Sequence, residues 1–208
     1  MKYVDPKCRL CRREGVKLFL KGERCFSPQC PLEKKGAVPP GVHGQKNLGR
    51  GRLSEYGRRL REKQKLKRLY GVTEKQFKKY VNEARRARTE TGKGLLAILE
   101  TRLDNVVYRL GFAPAKSAAK QLVAHGHIWV DEKKVDISSY RIKPGQVVTL
   151  RPRSLKIKPV IASLGKKDFS LPAWLERKGP VGKVKRLPRR EEIGGDIDER
   201  LVVEYFSR

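Results

Sequence analysis

The chain has 208 residues, of which 50 are Lys or Arg and 22 are Asp or Glu, so its formal charge is +28 at pH 7. The excess is spread along the chain, at +8 for 1–50, +9 for 51–100, +4 for 101–150 and +7 for 151–208. Such a distribution indicates a polyanion that touches most of the surface, and nucleic acid fits best. The sequence has no apolar run of about 18 residues, no signal peptide and no membrane-surface helix, so we expect a cytosolic protein that binds no membrane.

All four cysteines lie in residues 1–45, in the spacing Cys8-x2-Cys11 and Cys25-x4-Cys30. Two close pairs joined by a loop suit tetrahedral coordination, so we predict a structural metal site. Few large apolar residues accompany the cysteines, and the ion would supply ~10–16 kcal/mol of binding that is also folding energy. One zinc ion is the leading prediction. A 4Fe–4S cluster on the same four ligands is the alternative, and a reducing cytosol disfavours disulfides.

A segment rich in Gly and Pro follows, over residues 36–52, and has no apolar periodicity. It is typical of a linker that becomes ordered against a partner. Its candidate RNA contacts are His43, Lys46, Arg50 and Arg52.

The next segment predicts a helix that Ser54 caps and Gly71 ends. Between residues 58 and 68 it has seven basic side chains and one acid, Glu62. A solvated helix face normally has mixed charge, so we expect phosphates to relieve the repulsion here. These candidate RNA contacts, which we call the first basic row, are Arg58, Arg59, Arg61, Lys63, Lys65, Lys67 and Arg68. Thr73 and Gln76 then form a capping box that opens another helix.

Apolar residues at helical spacing from Leu95 to Leu110 predict one continuous helix that Gly111 ends. Its polar side has Arg102, Asn105 and Arg109 at i, i+3 and i+7, and we call these three residues the second row. A shorter helix begins near Pro114 and has Lys116 and Lys120 on its outer side. Both groups are candidate RNA contacts.

A small sheet is predicted after the second of these helices. Its strands are Ile128–Val130, a return strand with Val135 and Ile137, and Val147–Leu150 after the Pro144-Gly145 turn. His125 and His127 flank the turn that leads into this sheet and are candidate phosphate contacts. The basic stretches 151–167 and 180–190 are predicted to be loops, and Leu201–Phe206 a strand or short buried segment that docks on an earlier part of the chain.

Catalytic signatures are absent from the sequence. Metal binding would use all four thiols, and no nucleophile elbow, phosphate-binding loop or dinucleotide fingerprint occurs. We therefore predict that the protein is not an enzyme.

Two stretches, 102–112 (RLDNVVYRLGF) and 121–130 (QLVAHGHIWV), resemble the RNA-binding module named after ribosomal protein S-four. That module also occurs in tRNA synthetases, pseudouridine synthases and heat-shock proteins. Three further stretches resemble the bacterial small-subunit ribosomal protein four family itself, namely 60–66 with Tyr70-Gly71, 39–44 and 201–208. The cysteine spacing resembles the metal-binding four-cysteine subset of that family.

The resemblance implies an α+β fold. A metal-stapled N-terminal segment (1–45) precedes a helical domain (46–94). An RNA-binding wedge of two helices on a small antiparallel sheet (95–165) is inserted into the helical domain, and the C-terminal segment (166–208) returns to that domain as a strand.

The resemblance also implies a function in the cytoplasm, in the small ribosomal subunit. The protein would be a primary binder of 16S rRNA at a multi-helix junction of the 5′ domain, nucleating 30S assembly and contributing to translational accuracy. Its implied partners are the neighbouring ribosomal proteins five and three and the incoming mRNA, without homo-oligomerisation. Some family members also repress translation of their own mRNA. The alternatives are an RNA-modifying enzyme or a ribosome-associated stress factor that uses the same wedge.

The sequence departs from the family pattern at the second wedge helix. Ala115 stands where a Ser or Thr cap is usual, and Lys116 and Lys120 stand where arginines are usual. Loss of the cap should cost about 1 kcal/mol of local helix stability. The hairpin turn Asp131-Glu132 replaces the Asn-Gly that suits a type I′ turn better.

Overall fold

The computed structural model describes residue 3 and residues 5–45, 53–87, 90–166 and 170–207. The chain divides into two compact units, one formed by residues 1–92 and 196–208 and the other by residues 93–195. The second unit is thus inserted into the sequence of the first. The inserted unit was predicted to end at residue 165. In the structure it ends at residue 195, so residues 166–195 belong to it and only residues 196–208 return to the helical unit.

The described residues form nine α-helices, five strands and three short 3-10 turns. The helices are α1 (Cys8–Glu14), α2 (Pro31–Lys35), α3 (Glu55–Tyr70), α4 (Glu74–Arg86), α5 (Thr91–Glu100), α6 (Leu103–Arg109), α7 (Lys116–Ala124), α8 (Lys158–Leu164) and α9 (Glu199–Phe206). The strands are β1 (Ile128–Val130), β2 (Lys133–Lys134), β3 (Val147–Leu150), β4 (Leu175–Lys178) and β5 (Val181–Val184). No helix among them is long and apolar enough to span a membrane.

The predicted helix limits in the first unit are confirmed. The Ser54 hydroxyl accepts a hydrogen bond from the Gly57 N–H at 3.1 Å, and Thr73 caps α4 in the same way through the Gln76 N–H at 3.4 Å. Gly71 ends α3 with a left-handed φ of 59°, which glycine adopts without steric cost.

The C-terminal segment docks as predicted, but it is a helix and the prediction of a strand was wrong. Asp198 caps α9 by accepting from the N–H groups of Arg200 and Leu201. The helix packs on α3. The Tyr205 ring centroid lies 5.8 Å from that of Tyr56, and Phe206 lies 5.9 Å from Phe77. Apolar contacts spaced three and four residues apart favour a helix at this position.

The sheet of the second unit has five antiparallel strands in the order β2-β1-β3-β5-β4. The sequence predicted the inner strands, but the return strand is Lys133–Lys134, and Ile137 is 60% exposed beyond it. The β4–β5 hairpin was missed, since 180–190 was expected to be a loop. A Cβ on Gly182 would lie 2.4 Å from Leu110 Cδ1, so glycine lets β5 pack closely on the buried Leu110 side chain at the end of α6.

The predicted continuous helix over 95–110 is wrong, because the chain leaves the helical path between α5 and α6. Arg102 has an extended ψ of 138° and forms an isolated antiparallel bridge with Arg141. The Leu103 N–H donates to the Tyr140 carbonyl at 2.8 Å, and the Ile142 N–H donates to the Thr101 carbonyl at 2.9 Å. Residues 140–142 thus satisfy backbone groups of Thr101 and Leu103 that would be hydrogen-bonded within the chain's own turns if the helix continued.

Candidate nucleic-acid interface

Every side chain of the first basic row pairs with a carboxylate of the same unit. The pairs are Arg58–Glu55 at 3.4 Å, Arg59–Glu204 at 2.8 Å, Arg61–Glu14 at 3.4 Å, Lys63–Glu74 at 2.6 Å, Lys65–Glu62 at 2.7 Å, Lys67–Glu74 at 2.7 Å and Arg68–Glu14. Carboxylates on α1, α4 and α9 thus relieve repulsion that the local sequence left unbalanced.

Two members of this row, Lys63 and Lys65, are removed from the surface, which does not fit the direct RNA contacts predicted for them. Lys63 is 4% exposed and Lys65 is 8% exposed. The Lys63 ammonium lies 4.4 Å from the centre of the Tyr205 ring, which fixes it between α9 and Glu74.

Glu14 is the buried anchor of α3 on the N-terminal segment. Its side chain is 1% exposed and receives both Arg61 and Arg68. Burial raises the pKa of Glu14, and the two guanidinium groups oppose that effect. A guanidinium has five donors and one carboxylate can use only part of them, so both arginines keep donors for a phosphate.

The row therefore retains a partly exposed set of cations. Arg58 is the most open, with 46% of its side chain exposed. Four other side chains are between 18% and 26% exposed: Arg59, Arg61, Lys67 and Arg68. Ion pairs to the exposed carboxylates of Glu55, Glu74 and Glu204 contribute about 0–1 kcal/mol each, so a phosphate can compete for the cations that they hold. Arg61 and Arg68 keep the buried Glu14 as their partner and offer a phosphate only the donors that this carboxylate leaves unused.

The second row does not form an exposed face, and the burial of Arg102 and Asn105 does not fit the direct RNA contacts predicted for them. Arg102 is 1% exposed and binds Asp104 through two hydrogen bonds of 3.0 and 2.6 Å. Asn105 is 3% exposed and donates to the backbone and side-chain oxygens of Glu100 at 3.0 and 2.7 Å.

Arg109 lies at the open edge of this network. It binds both carboxylate oxygens of Glu100 at 3.0 and 2.7 Å, yet 23% of its side chain is exposed. Lys116 is half-buried nearby, 5.7 Å from the Tyr108 ring. Burial lowers the pKa of Lys116 to about 8, while Glu100 raises it and Arg109 lowers it further. Arg109, Lys116 and the half-buried Lys120 are therefore the cations of α6 and α7 that remain partly accessible.

The three histidines lie in different environments. His43 and His125 are exposed. His127 is half-buried, with Nδ1 2.9 Å from the Ser154 hydroxyl. Burial lowers the pKa of His127, and the neighbouring His125 and Arg151 lower it further, which favours the neutral imidazole. The predicted contacts Lys46, Arg50 and Arg52 lie outside the described residues.

The four cysteines are free thiols, of which Cys11, Cys25 and Cys30 are buried and Cys8 is half-buried. Within the described residues, no three metal-ligating side chains converge on one point. The donor set still fits a thiophilic ion. The Lys21 N–H donates to Cys25 Sγ at 3.3 Å, the kind of hydrogen bond that supports metal-bound thiolates. Burial raises the pKa of Cys11, the Leu18 N–H lowers it, and the other three cysteines raise it further.

Sequence reasoning missed Arg177, which organises the second unit. Its guanidinium donates to the carbonyls of Leu110 at 3.0 Å and Leu164 at 3.1 Å. It thereby satisfies the C-terminal ends of α6 and α8 from strand β4. No local pattern indicated this role, because both carbonyls come from distant parts of the chain.

Comparison with known proteins gives two family matches that adjoin each other. Residues 2–100 match the Ribosomal protein S4/S9 N-terminal domain, and residues 101–148 match the S4 domain. The chain is 53% identical over 210 residues to the small ribosomal subunit protein uS4 of Dictyoglomus turgidum. It is 50% identical over 211 residues to that of Natranaerobius thermophilus and 48% identical over 210 residues to that of Thermus thermophilus. Each alignment covers 100% of this chain and 99% of the relative.

Proposed function

Because this chain belongs to the uS4 family of small ribosomal subunit proteins, we propose that it is a structural, non-enzymatic constituent of the small subunit that binds 16S rRNA directly. The single observation that carries this conclusion is full-length similarity at about half identity, across both family domains. The charge of +28 supports it, since rRNA is the polyanion that such a surface needs. The cytoplasmic location follows from membership of the subunit.

The finer role follows from the family resemblance. We propose that the chain binds a multi-helix junction in the 5′ domain, nucleates 30S assembly and contributes to translational accuracy. Ribosomal proteins five and three and the incoming mRNA are its proposed neighbours. Repression of its own mRNA would use the same rRNA-binding surface, so rRNA should compete with that mRNA for the protein.

For the RNA contacts, we propose the cations that the structure leaves partly exposed. They are Arg58, Arg59, Arg61, Lys67 and Arg68 on α3, Arg109 on α6, and Lys116 and Lys120 on α7. His43, His125 and His127 are proposed as additional hydrogen-bonding contacts. Lys46, Arg50 and Arg52 remain in the proposal on sequence grounds. Phosphate contacts supply affinity through counterion release, and junction shape supplies specificity.

We further propose that the four cysteines hold one zinc ion, with a 4Fe–4S cluster as the alternative. The residues that would hold it are Cys8, Cys11, Cys25 and Cys30. The ion would staple α1 to the segment before α2 and supply folding energy where few apolar residues do. Elemental analysis of anaerobically prepared protein tests this, since one zinc per chain supports the proposal, iron selects the cluster, and absence of both metals refutes the site.

The ribosomal role is tested by sedimentation with small subunits through a high-salt wash. A structural constituent stays bound at one copy per subunit, because its contacts form during assembly and are buried in the particle. Substoichiometric binding that salt removes would instead support a ribosome-associated factor.

A further inference from the structure

An exposed pair of phenylalanines, Phe19 and Phe26, lies in the N-terminal segment, and the proposed ribosomal role assigns neither of them a contact. Phe26 is 73% exposed and Phe19 is 37% exposed. Their ring centroids are 4.9 Å apart and the rings are inclined by 27°, which is a stacked arrangement. Large aromatic rings are normally buried, so a stacked pair in solvent indicates a binding surface.

The backbone holds both rings in place. Phe19 has a φ of 49°, in a region that non-glycine residues adopt only at a cost, and such strain is concentrated at functional sites. The Phe26 N–H donates to the Glu23 carbonyl at 2.9 Å, at the end of the Gly22–Cys25 turn. The Ser27 hydroxyl donates to the Arg24 carbonyl at 3.1 Å. The aromatic surface is therefore preorganised.

The surroundings of the pair suit a nucleotide. Phe26 borders a cleft of about 360 Å³ whose other lining residues are Ser27, Pro28, Glu33 and Lys34. Residues 17–35 contain five basic and two acidic side chains, and one of the acids, Glu33, is neutralised by Lys17. Lys21, Arg24 and Lys34 are exposed. An apolar ring flanked by exposed cations is the arrangement that stacks an unpaired base and holds its phosphates.

We propose that Phe26, supported by Phe19, is a stacking platform for one unpaired base of an RNA strand. This deepens the proposed function and rests on it, because it names the structural element that the N-terminal segment recognises. Charge complementarity favours RNA over an apolar protein segment as the occupant. Phosphate contacts alone would not distinguish a single strand from a duplex, whereas a stacking platform does.

The test uses the full-length protein as purified and a single-stranded oligouridine of about 12 nucleotides that carries one central 2-aminopurine. Stacking on Phe26 quenches the 2-aminopurine fluorescence of the wild-type complex, and the same probe in a duplex is not quenched further. Phe26→Ala should weaken single-strand binding ~5–150-fold, the range expected for loss of one stacked base. Phe26→Tyr and Phe26→Trp should restore it.

Ile137→Ala is the matched control, because Ile137 is a similarly exposed apolar residue of the other unit. A Phe26→Ala variant that binds the single strand as tightly as this control would overturn the proposal. So would equal losses for single strand and duplex, or absence of quenching by the wild-type protein. The metal content and thermal midpoint of Phe26→Ala and Phe26→Tyr show whether either variant has a folding defect. If Phe26→Ala does, the quenching by the wild-type protein and the binding by Phe26→Tyr test the proposal instead.

Failure of the platform and failure of the ribosomal role are separable. If Phe26→Ala binds the single strand normally while the wild-type protein remains bound to small subunits after a salt wash, the platform alone is refuted. If the variant loses only its association with other ribosomal proteins, the pair is a protein contact and the platform is likewise refuted. Loss of wild-type sedimentation instead contradicts the proposed function.

Discussion

The first basic row and the second row were both predicted to be RNA-binding faces of a helix, but their physical roles differ. On α3, a regular helix keeps five cations partly exposed, and those paired with the exposed Glu55, Glu74 and Glu204 can exchange the carboxylate for a phosphate. Between α5 and α6 the helix is interrupted, and Arg102 and Asn105 turn inward to bind Asp104 and Glu100. Basic residues on a predicted helix face can thus serve RNA binding or internal support. Burial and long-range partners decide between the two roles.

The largest expected loss of stability follows from breaking the buried Arg102–Asp104 ion pair. Arg102→Ala leaves Asp104 as an uncompensated charge that is 6% exposed, which should cost about 3–5 kcal/mol of unfolding free energy. Urea denaturation measures this loss, and Arg58→Ala is the matched control with an exposed pair. An equal effect of the two substitutions would remove the distinction between the rows.

A smaller loss of unfolding free energy is expected when the Glu100 carboxylate, which connects α5 to α6, is changed. Glu100→Gln removes the charge that receives both Asn105 and Arg109, and should cost about 1.5–3 kcal/mol. The thermal midpoint should fall accordingly. If the midpoint is unchanged, Glu100 does not stabilise this network and Arg109 acts through RNA alone.

A gain in stability is expected at the start of α7. Ala115 has the extended backbone of an N-cap, with φ −151° and ψ 155°, but its side chain makes no capping hydrogen bond. Ala115→Ser should therefore stabilise the protein by about 1 kcal/mol. Denaturant midpoints compare the variant with Ser117→Ala, which changes the same helix without adding a cap. No gain would mean that this buried position cannot orient a hydroxyl.

The smallest expected effect concerns the pH dependence of the β1–β2 turn. Asp131 and Glu132 both have positive φ, at 48° and 67°, as a type I′ turn requires. The Val147 N–H and the Gln146 amide donate to Asp131 and hold its pKa below the ordinary value of 3.8. A lowered folded-state pKa stabilises the protein above the unfolded-state value, and this stability is lost as the pH falls through the folded-state value.

Thermal midpoints of the wild type and Asp131→Asn measure this contribution. Their difference should be constant at neutral pH and should shrink below about pH 4, where the unfolded chain begins to protonate Asp131. A difference that does not change with pH would show that the carboxylate charge is irrelevant to the turn.

Local patterns in the sequence predicted much of the fold. Ser54, Gly71 and Thr73 gave the limits of α3 and α4 because capping depends on residues within one turn. The break at Arg102 could not be foreseen, because residues 138–142 supply the competing backbone hydrogen bonds. The β4–β5 hairpin had a usable signal in Gly179-Pro180 between apolar positions, which was outweighed by the surrounding lysines and arginines.

In the candidate site too, local sequence indicated residue types and spacing, whereas burial and ion-pair partners depend on distant residues. The basic row on α3 was recognised, but its partners Glu14, Glu74 and Glu204 are up to 145 residues away in sequence. Residue type alone could not show that Lys63 and Lys65 are buried, nor that Arg177 links α6 to α8. The metal-site prediction came from cysteine spacing alone, since each of the two proposed ligand pairs is local in the sequence.

The most direct test of the account is the salt dependence of binding to a 16S 5′-domain fragment, measured for Arg58→Gln and for the wild-type protein. If about six to ten phosphates are contacted, wild-type affinity should fall ~10³–10⁵-fold between about 50 and 200 mM salt. Arg58→Gln should bind more weakly and reduce the slope of log affinity against log salt by about 0.9, while its unfolding free energy changes by less than about 0.5 kcal/mol. A flat wild-type salt response, or an unchanged slope in the variant, would contradict the assignment of the α3 row to rRNA.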